Sequence, residues 1–392
     1  MSFCPLGECE AEPYRSTFSN QHRNTKMMHH FAPALTVVIP TYDERENIRP
    51  LSAMLEAALN AVAYEVIFVD DDSGDGTADE VRAVAAEDPK VRLISRVGRR
   101  GLAGACIEGM LSAISPLVAV MDADMQHDER LLPEMFRRLS NDPSLDIVIG
   151  SRHVDGGAAS SGFSRPRSWG SKRANALARR LLSIKASDPM SGFFVLRRSS
   201  LNEVVCGLQP DGFKLLADML SMARGRWNVL ELPYDFRPRV AGRSKMDIAV
   251  TLEFVALLLS RLTGGLLPVR FVMFGFVGAS GLVVQLAAVW AGLAMAGNFE
   301  VAQATGIWIA MTTNFLLNNS LTWRERRLRG RAFFTGLLAF YLVCCLGASA
   351  NLGVSTVLFQ LVPVWWLASA AGAVVGAIWN FWASLIVTWR AR

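Results

Sequence analysis

The C-terminal third of the chain is the part whose fold the sequence restricts most. From Leu266 onwards the sequence is largely apolar outside one basic loop. It contains four hydrophobic stretches of bilayer length, at about 269–294, 300–322, 333–361 and 363–389. Stretches of this length and composition are typical of transmembrane helices. We therefore predict an all-α transmembrane domain of four helices over residues 266–392.

Arginines occur only in the connections that would lie on one side of the membrane. Arg261 and Arg270 precede the first stretch, a run of arginines separates the second from the third, and Arg390 and Arg392 follow the fourth. The other two loops carry no Lys or Arg. By the positive-inside rule, the N-terminal domain and both termini face the cytoplasm of a multi-pass protein in a plasma or inner membrane.

Charge and cysteine content restrict the class of protein further. Only 19% of the residues are charged and the formal net charge is +5, with much of the excess Arg at the edges of the apolar stretches. A membrane surface explains this balance, and no nucleic-acid-binding motif accompanies it. The six cysteines lack paired metal-ligand spacing and indicate reduced thiols. Residues 1–33 have no signal-peptide core, so we expect a disordered tail, and translation from Met27 or Met28 stays open.

Strand-like and helix-like segments alternate between residues 34 and 245. Short apolar runs, such as Leu35–Pro40, Tyr64–Val69 and Leu117–Met121, are separated by segments with helical spacing. This order predicts an α/β domain with a mostly parallel sheet and crossover helices. An amphipathic helix at Asp247–Leu262, within a linker over 246–265, then leads up to the membrane domain.

Two acidic clusters follow predicted strands. Asp70–Asp75 comes after the second strand, and the DxD sequence Asp122-Ala123-Asp124 comes after the strand at Leu117. If that segment is extended, Asp122, Asp124 and Gln126 share one face and offer three oxygen ligands to Mg²⁺ or Mn²⁺. An isolated DxD is more often a solvated acidic turn. Because the carboxyl ends of parallel strands share one edge, the second cluster favours a functional site.

Basic segments follow later in the same domain. The loop 237–245 has four cations and no acid, a composition that suits phosphate. The Gly- and Ser-rich segment 155–167 is typical of a mobile functional loop. The helix expected at Trp169–Lys185 is basic and amphipathic, and either a membrane surface or an ordinary domain surface explains it equally well.

Three motifs resemble those of a known enzyme family. Val38–Ile48, Val69–Thr77 and Met121–His127 resemble the motifs of dolichol- (polyprenyl-) phosphate mannose synthases, inverting enzymes of glycosyltransferase family 2 with a GT-A fold. The resemblance covers residues 35–247 and departs from the family pattern at Gly74 and Asp128, where Pro is usual or common. The apolar tail resembles a GtrA-like membrane domain in its span count and charge pattern.

The resemblance implies a role for each matching residue. It implies transfer of mannose from GDP-mannose to a polyprenyl phosphate, giving a β-linked product and GDP. The residues implied to line the nucleotide site are Pro40, Tyr42, Glu44, Val69, Asp71 and Ala123. The metal ligands would be Asp122, Asp124 and Gln126. The diphosphate and acceptor phosphate would be held by Arg152, Lys214, Arg239 and Lys245, with Arg167 and Ser171 at the lipid phosphate.

The residue types agree with this chemistry. Asp122, Asp124, Arg152, Arg239 and Lys245 are the candidate catalytic residues. A divalent ion and basic side chains neutralise a diphosphate leaving group as its bond breaks. A phosphate oxygen is already ionised at neutral pH, so the nucleophile needs no general base. The sequence accordingly shows no Ser-His-Asp or Cys-His arrangement.

Other functions share parts of this pattern. The same chemistry with UDP-glucose as donor is the nearest alternative. A processive polysaccharide synthase is disfavoured because the chain lacks a Gln-x-x-Arg-Trp motif. A flippase or transport protein with a degenerate transferase domain is disfavoured by the intact acidic and basic clusters. The tail either anchors the enzyme or helps move the product lipid, and the sequence favours an anchor; a homo-oligomer formed through it stays open.

Overall fold

The structure is a computed structural model, and a defined set of residues is described. They are residues 32–152, 154, 184–210, 214–234, 237, 248–264, 266–296, 299–362 and 364–390. Strands and helices are numbered below among these residues. Most of the helix expected from Trp169, and the basic loop beyond Arg237, lie outside them.

The N-terminal part of the chain is built on a seven-stranded sheet. Its strands are β1 (Leu35–Thr41), β2 (Tyr64–Asp70), β3 (Val91–Ser95), β4 (Leu117–Val120), β5 (Ile147–Ser151), β6 (Phe194–Arg197) and β7 (Val229–Pro233). The spatial order is β3-β2-β1-β4-β6-β5-β7. β1 pairs in parallel with both β2 and β4, whereas β6 runs antiparallel between β4 and β5. The predicted mostly parallel sheet is confirmed.

Helices cover both faces of this sheet. They are α1 (Arg45–Ala58), α2 (Thr77–Glu87), α3 (Leu102–Ser112), α4 (Leu132–Asn141), α5 (Arg198–Val204), α6 (Leu215–Ala223) and α7 (Ile248–Leu262). Val37 and Ile39 of β1 belong to one core, and Val38 between them belongs to the other. A strand covered on both faces has no polar side to alternate with, which explains its continuous apolar sequence.

The amphipathic helix α7 packs against the sheet domain. Leu257 and Leu258 are buried in the same core as Val38 and the residues of α6. Ser260 is also buried, and its hydroxyl accepts a hydrogen bond from the Gln209 amide at 3.1 Å. The helix predicted to lead to the membrane therefore contributes to the core of the sheet domain.

A helical region follows α7. Its helices are α8 (Val269–Ala296), α9 (Phe299–Leu317), α10 (Arg331–Leu361) and α11 (Trp365–Ala383). Within the described residues, two stretches are long and apolar enough to cross a bilayer, Val269–Met295 and Arg331–Leu358. The helical membrane region is as expected, and its four spans stay a prediction.

The membrane domain contains an internal sequence repeat. Asn314-Phe315 and Thr322-Trp323 recur as Asn380-Phe381 and Thr388-Trp389, at one constant separation along the chain. The same separation relates Gly281 in α8 to Gly347 in α10. In each half a turn of π-helix, at Asn318–Thr322 or Ser384–Thr388, ends the second helix of a hairpin.

The two hairpins meet through reciprocal ring contacts. Trp323 and Trp389 stack with their centroids 5.6 Å apart and their planes 15° apart. Phe315 stacks on Trp389 at 5.7 Å, and its counterpart Phe381 stacks on Trp323 at 6.0 Å. Contacts that exchange partners in this way are those of a twofold arrangement. The membrane domain is therefore a duplicated hairpin whose two C-terminal turns meet at one end.

Candidate active site

Three loops come together at the carboxyl ends of β2, β1 and β4. These strands are neighbours and run parallel, so their ends share one edge of the sheet. The loops carry Tyr42–Glu44, Asp71–Gly76 and Asp122–Gln126. The sequence expectation that both acidic clusters lie at one edge is met by this topology.

The first two loops are joined by hydrogen bonds. The Asp43 amide donates to Ser73 Oγ at 2.9 Å, and the Gly74 amide donates back to Asp43 Oδ1 at 3.1 Å. The Arg45 amide donates to Asp75 Oδ2 at 3.1 Å. Gly74 stands where the resembling family has Pro, and its amide hydrogen, which Pro lacks, is used here.

Asp71 is held in a buried ion pair. Its carboxylate contacts the Arg96 guanidinium, and the Gly101 amide donates to its Oδ2 at 2.6 Å. Burial raises the pKa of the Asp71 carboxyl, and the Gly101 amide and Arg96 oppose that rise. A Cβ on Gly104 would lie 2.6 Å from Arg96 Nη2, so a larger residue there would displace the guanidinium that binds Asp71. Arg96 was not among the predicted site residues.

The DxD segment is a turn, not an extended strand. β4 ends at Val120, and Met125 has a left-handed φ of 58°. The expectation that Asp122, Asp124 and Gln126 share one face of an extended segment is therefore wrong. Within the turn the Gln126 amide donates to Asp124 Oδ1 at 3.2 Å, so these two residues are adjacent.

His127 supports the first aspartate of this turn. Its Nε2 lies 3.2 Å from Asp122 Oδ2, and its Nδ1 lies 3.0 Å from the Tyr234 hydroxyl. The ring also stacks on Phe193 with centroids 5.1 Å apart. The Asp122 carboxylate packs closely on Gly192. A Cβ added at Gly192 would lie only 3.0 Å from Asp122 Oδ2. The sequence motif contained His127, yet its role became visible only with Tyr234 and Phe193 beside it.

The basic loop begins beside the DxD turn. The Arg237 carbonyl accepts from Gln126 Nε2 at 3.0 Å, and the Arg237 amide donates to the Gln126 carbonyl at 3.0 Å. The Arg237 guanidinium binds Asp128 at 2.7 Å and Glu129 at 2.8 Å. Arg237 is thus a structural anchor for the loop. Arg239 and Lys245 lie outside the described residues, as do Arg167 and Ser171.

Arg152 is positioned by a buried carboxylate. Asp188 is fully buried and accepts from Arg152 Nε at 2.8 Å and from Nη2 at 3.0 Å. Glu231 in turn accepts from the amides of Ser187 and Asp188, at 2.7 and 3.1 Å. Fixed in this way, the Arg152 guanidinium is oriented before any ligand binds, which is a feature of preorganised sites.

Two cavities lie on either side of Lys214 and share it and Leu215 in their linings. The DxD cavity is lined by Asp122, Ser191, Gly192 and Lys214, among others. The membrane-side cavity is lined by Lys214, Glu253, Arg270, Thr322 and Arg324, among others. Lys214 borders both.

Lys214 is a desolvated lysine at this junction. Burial lowers the pKa of its ammonium group, and the charge of Arg152 lowers it further, against the attraction of Glu253, Asp188 and Asp122. A lysine kept in such surroundings is a candidate for binding an anion, which would restore the stability of its charged form.

The comparisons with known proteins agree with this arrangement. The fold and the strand-end loops define a GT-A-like glycosyltransferase domain. The chain matches glycosyl transferase family 2 over residues 36–205, and the GtrA/DPMS transmembrane domain over residues 273–389. It is 33% identical over 362 residues to the dolichol-phosphate mannosyltransferase of Pyrococcus furiosus, covering 91% of this chain and 99% of that one. The chain belongs to this family of glycosyltransferases.

Two further similarities cover the catalytic half. The dolichol-phosphate mannosyltransferase of Saccharomyces cerevisiae is 34% identical over 230 residues, which cover 56% of this chain and 84% of that protein. A solved structure of glucosyl-3-phosphoglycerate synthase from Mycobacterium tuberculosis, in complex with Mn²⁺, UDP and glucosyl-3-phosphoglycerate, aligns with a TM-score of 0.46 and 18% identity. The alignment covers 62% of this chain and 86% of that one.

Proposed function

We propose that this protein transfers mannose from GDP-mannose to the phosphate of a membrane polyprenol, giving polyprenyl-phosphate β-mannose and GDP. The observation that carries the proposal is the junction of two cavities at Lys214, one at the DxD turn and one at the first membrane helix. A nucleotide sugar is dissolved in water, whereas a polyprenyl phosphate stays in the bilayer. Their reaction needs a site that both can reach, and the dolichol-phosphate mannosyltransferases among the relatives support mannose as the sugar.

The donor side of the proposed site is the group of cross-linked loops. Pro40, Tyr42, Glu44, Val69, Asp71 and Ala123 are the residues proposed to bind the nucleotide. The Tyr42 ring lies 4.8 Å from the Arg100 guanidinium, so it belongs to the same edge as Asp71 and its partners. A loop edge fixed by ion pairs and hydrogen bonds loses little conformational freedom when a nucleotide binds.

The DxD turn fits a divalent cation. Asp122, Asp124 and Gln126 supply hard oxygen donors, as Mg²⁺ and Mn²⁺ prefer. Among the described residues there is no cluster of three or more His, Cys, Asp or Glu side chains of the kind that encloses a metal. Two carboxylates and an amide suit an open site, in which substrate phosphates complete the coordination. A bound Mg²⁺ or Mn²⁺ would neutralise charge on the departing diphosphate.

The chain's own cations supply the rest of the proposed chemistry. Lys214, which lines the DxD cavity, and Arg152 are the cations proposed from the described residues, and Arg239 and Lys245 are proposed from the sequence. Each would stabilise negative charge that increases on the leaving group in the transition state. The acceptor phosphate oxygen attacks in its ionised form, so no side chain has to remove a proton. Attack opposite the leaving group inverts the sugar carbon and gives the β product.

We also propose a cytoplasmic catalytic domain on a four-helix membrane domain. The proposed units are a tail over 1–33, a transferase domain over 34–245, a linker over 246–265 whose helix α7 packs on that domain, and a membrane domain over 266–392. The stacked Trp323 and Trp389 support this topology, because they hold Arg324 and Arg390 at one end of the helical region. Arginines that share one end agree with the positive-inside rule.

Direct binding of the donor separates the proposal from its nearest alternative. The purified protein in detergent is titrated with GDP-mannose and with UDP-glucose, in the presence of Mg²⁺, by calorimetry. We expect binding of GDP-mannose to be at least about tenfold tighter, since the family resemblance implies a guanosine site in these loops. Tighter binding of UDP-glucose would contradict the proposal and favour a polyprenyl-phosphate glucosyltransferase.

A further inference from the structure

Glu253 is an acid in an unusual place. It is the only Asp or Glu in the sequence between Asp247 and Glu300, and it lies on α7, where the catalytic domain meets the first membrane helix. Its side chain lines the membrane-side cavity together with Lys214, Arg270 and Arg324. The cavity lining therefore carries three cations and two carboxyl groups, Glu253 and Asp218.

The Glu253 carboxyl is poorly satisfied in this cavity. Its Oε2 is buried and has no hydrogen-bond partner among the residues that the structure describes. Burial raises the pKa of Glu253 to about 7, with the charges of Arg324 and Lys214 opposing the rise. A buried carboxyl oxygen without a hydrogen-bonding partner is costly, so its presence beside Lys214 calls for a functional explanation.

The other charged groups around Glu253 are accounted for. Asp218, in the same cavity, is paired with Arg261, whose Nε donates to its Oδ1 at 2.7 Å. Arg270 lies over the Trp323 ring, 5.2 Å from its centroid. Arg324 and Lys214 act on Glu253 by charge attraction. When Glu253 is ionised it offsets one of the three cations, and when it is protonated all three act on an incoming anion.

We propose that binding of a phosphate anion against Lys214 is coupled to uptake of a proton from solvent by Glu253. Glu253 is then a positioning residue: in the ligand-free protein its carboxylate attracts the Lys214 ammonium, and the bound phosphate takes over that role. The proton goes to the Glu253 carboxylate and no other bond changes. The inference rests on the proposed function only for the identity of the phosphate, which belongs either to the nucleotide sugar or to the lipid acceptor.

The first test is the pH dependence of GDP-mannose binding to the full-length protein. The diphosphate of a nucleotide sugar has no group that titrates between pH 6 and 8, so a change reports on the protein. With full coupling to a group of pKa about 7, binding weakens about tenfold from pH 6 to pH 8. Calorimetry in buffers of different ionisation enthalpy should show uptake of about half a proton at pH 7.

Variants assign the effect to Glu253. Glu253→Gln should bind tightly at every pH in this range and take up no proton. Glu203→Gln, the same substitution at an exposed position on α5, should behave like the wild type. Arg324→Gln removes a charge that opposes the pKa rise, so the midpoint of the pH dependence should move to higher pH. Arg324→Gln keeps the proposal testable if Glu253→Gln does not fold.

A parallel titration with a short prenyl phosphate identifies the ligand. A phosphomonoester titrates near pH 6 itself, so here the difference between wild type and Glu253→Gln is the measured quantity. If the pH dependence of GDP-mannose binding differs between wild type and Glu253→Gln, the phosphate bound by Lys214 is that of the donor. If only the binding of prenyl phosphate differs, the phosphate bound by Lys214 is that of the acceptor. Equal pH dependence in wild type and Glu253→Gln, or none in the wild type with either ligand, would overturn the proposal. Failure of the proposed function is distinct, because it appears as absence of mannosyl transfer at every pH.

Discussion

The two ends of the proposed site are built differently. The donor end is the group of loops after β1 and β2, and the membrane end is the membrane-side cavity around Lys214 and Glu253. At the donor end, Asp71 is held by Arg96 and the Gly101 amide, and Asp43 and Asp75 bond to backbone amides of the neighbouring loop. At the membrane end, Lys214 is desolvated and Glu253 Oε2 has no hydrogen-bond partner among the described residues. The donor end is fixed before a ligand arrives, whereas the membrane end keeps charges whose stability changes when a ligand arrives. The difference suits a soluble donor and a phosphate that comes from the membrane.

The largest expected effect is at the DxD turn. Asp124→Ala removes a buried carboxylate from the turn, and we expect mannosyl transfer to fall by about a thousandfold or more because electrostatic stabilisation at the leaving group is lost. The measurement is the initial rate of transfer with saturating Mg²⁺. Asp79→Ala, which removes a carboxylate with 82% of its side chain exposed, is the control and should keep the wild-type rate. Retained activity in Asp124→Ala would contradict the proposed role of the turn.

The next effect tests whether the donor end is truly preorganised. Arg96→Met leaves Asp71 buried without its counter-ion, and breaking such a pair costs about 3–5 kcal/mol of folding free energy. We expect a marked fall in the temperature of thermal unfolding. The double variant Arg96→Met with Asp71→Asn should recover part of that stability without recovering GDP-mannose binding. If Arg96→Met unfolds like the wild type, the ion pair does not fix the donor end.

The effect of intermediate size is the pH dependence of ligand binding that we attribute to Glu253. It amounts to about tenfold in affinity between pH 6 and pH 8, and it belongs to the membrane end alone. The donor end offers a contrast on the same protein. Asp75 has its pKa lowered overall, because hydrogen bonds from Thr77 and the Arg45 amide outweigh the opposing effect of burial. Asp75→Asn should therefore leave the pH dependence of ligand binding between 6 and 8 unchanged. A change there would remove the distinction between the two ends.

The smallest expected effect concerns the contact between the two hairpins of the membrane domain. Asn319 accepts hydrogen bonds from the Leu328 amide at 2.8 Å and from Trp389 Nε1 at 3.2 Å. Its counterpart in the second hairpin is Leu385, and Trp323 Nε1 is buried with no partner among the described residues. Leu385→Asn should supply the missing acceptor and stabilise the membrane domain by about 0.6 kcal/mol, as hydrogen bonds between membrane helices do. Asn319→Leu is the opposite change and should destabilise it in the same thermal assay.

The sheet could be predicted from the sequence because its strands are buried on both faces. Continuous apolar runs placed β1, β2 and β4 within a residue of their observed ends. The helix α4 was missed although Leu132, Met135 and Leu139 have helical spacing. The acidic clusters were predicted to share an edge because that follows from parallel strands alone.

The local geometry of the site could not be predicted in the same way. The DxD turn depends on the left-handed φ of Met125, a conformation that no sequence period indicates. Arg96 joins Asp71 across the ends of β2 and β3, and Tyr234 reaches His127 from a distant strand. Such pairs depend on tertiary packing. Glu253 could have been found, since a single acid in a long apolar stretch is visible in the sequence, and so could the repeat ending in Trp323 and Trp389.

The central claim is mannosyl transfer at the junction of the two cavities. Its most direct test uses the purified full-length protein in lipid vesicles with polyprenyl phosphate, radiolabelled GDP-mannose and Mg²⁺. We expect label in the lipid fraction, as a product whose mannose is β-linked to phosphate, and none with Asp124→Ala. No lipid-linked mannose, or label transferred with the α configuration, would contradict it.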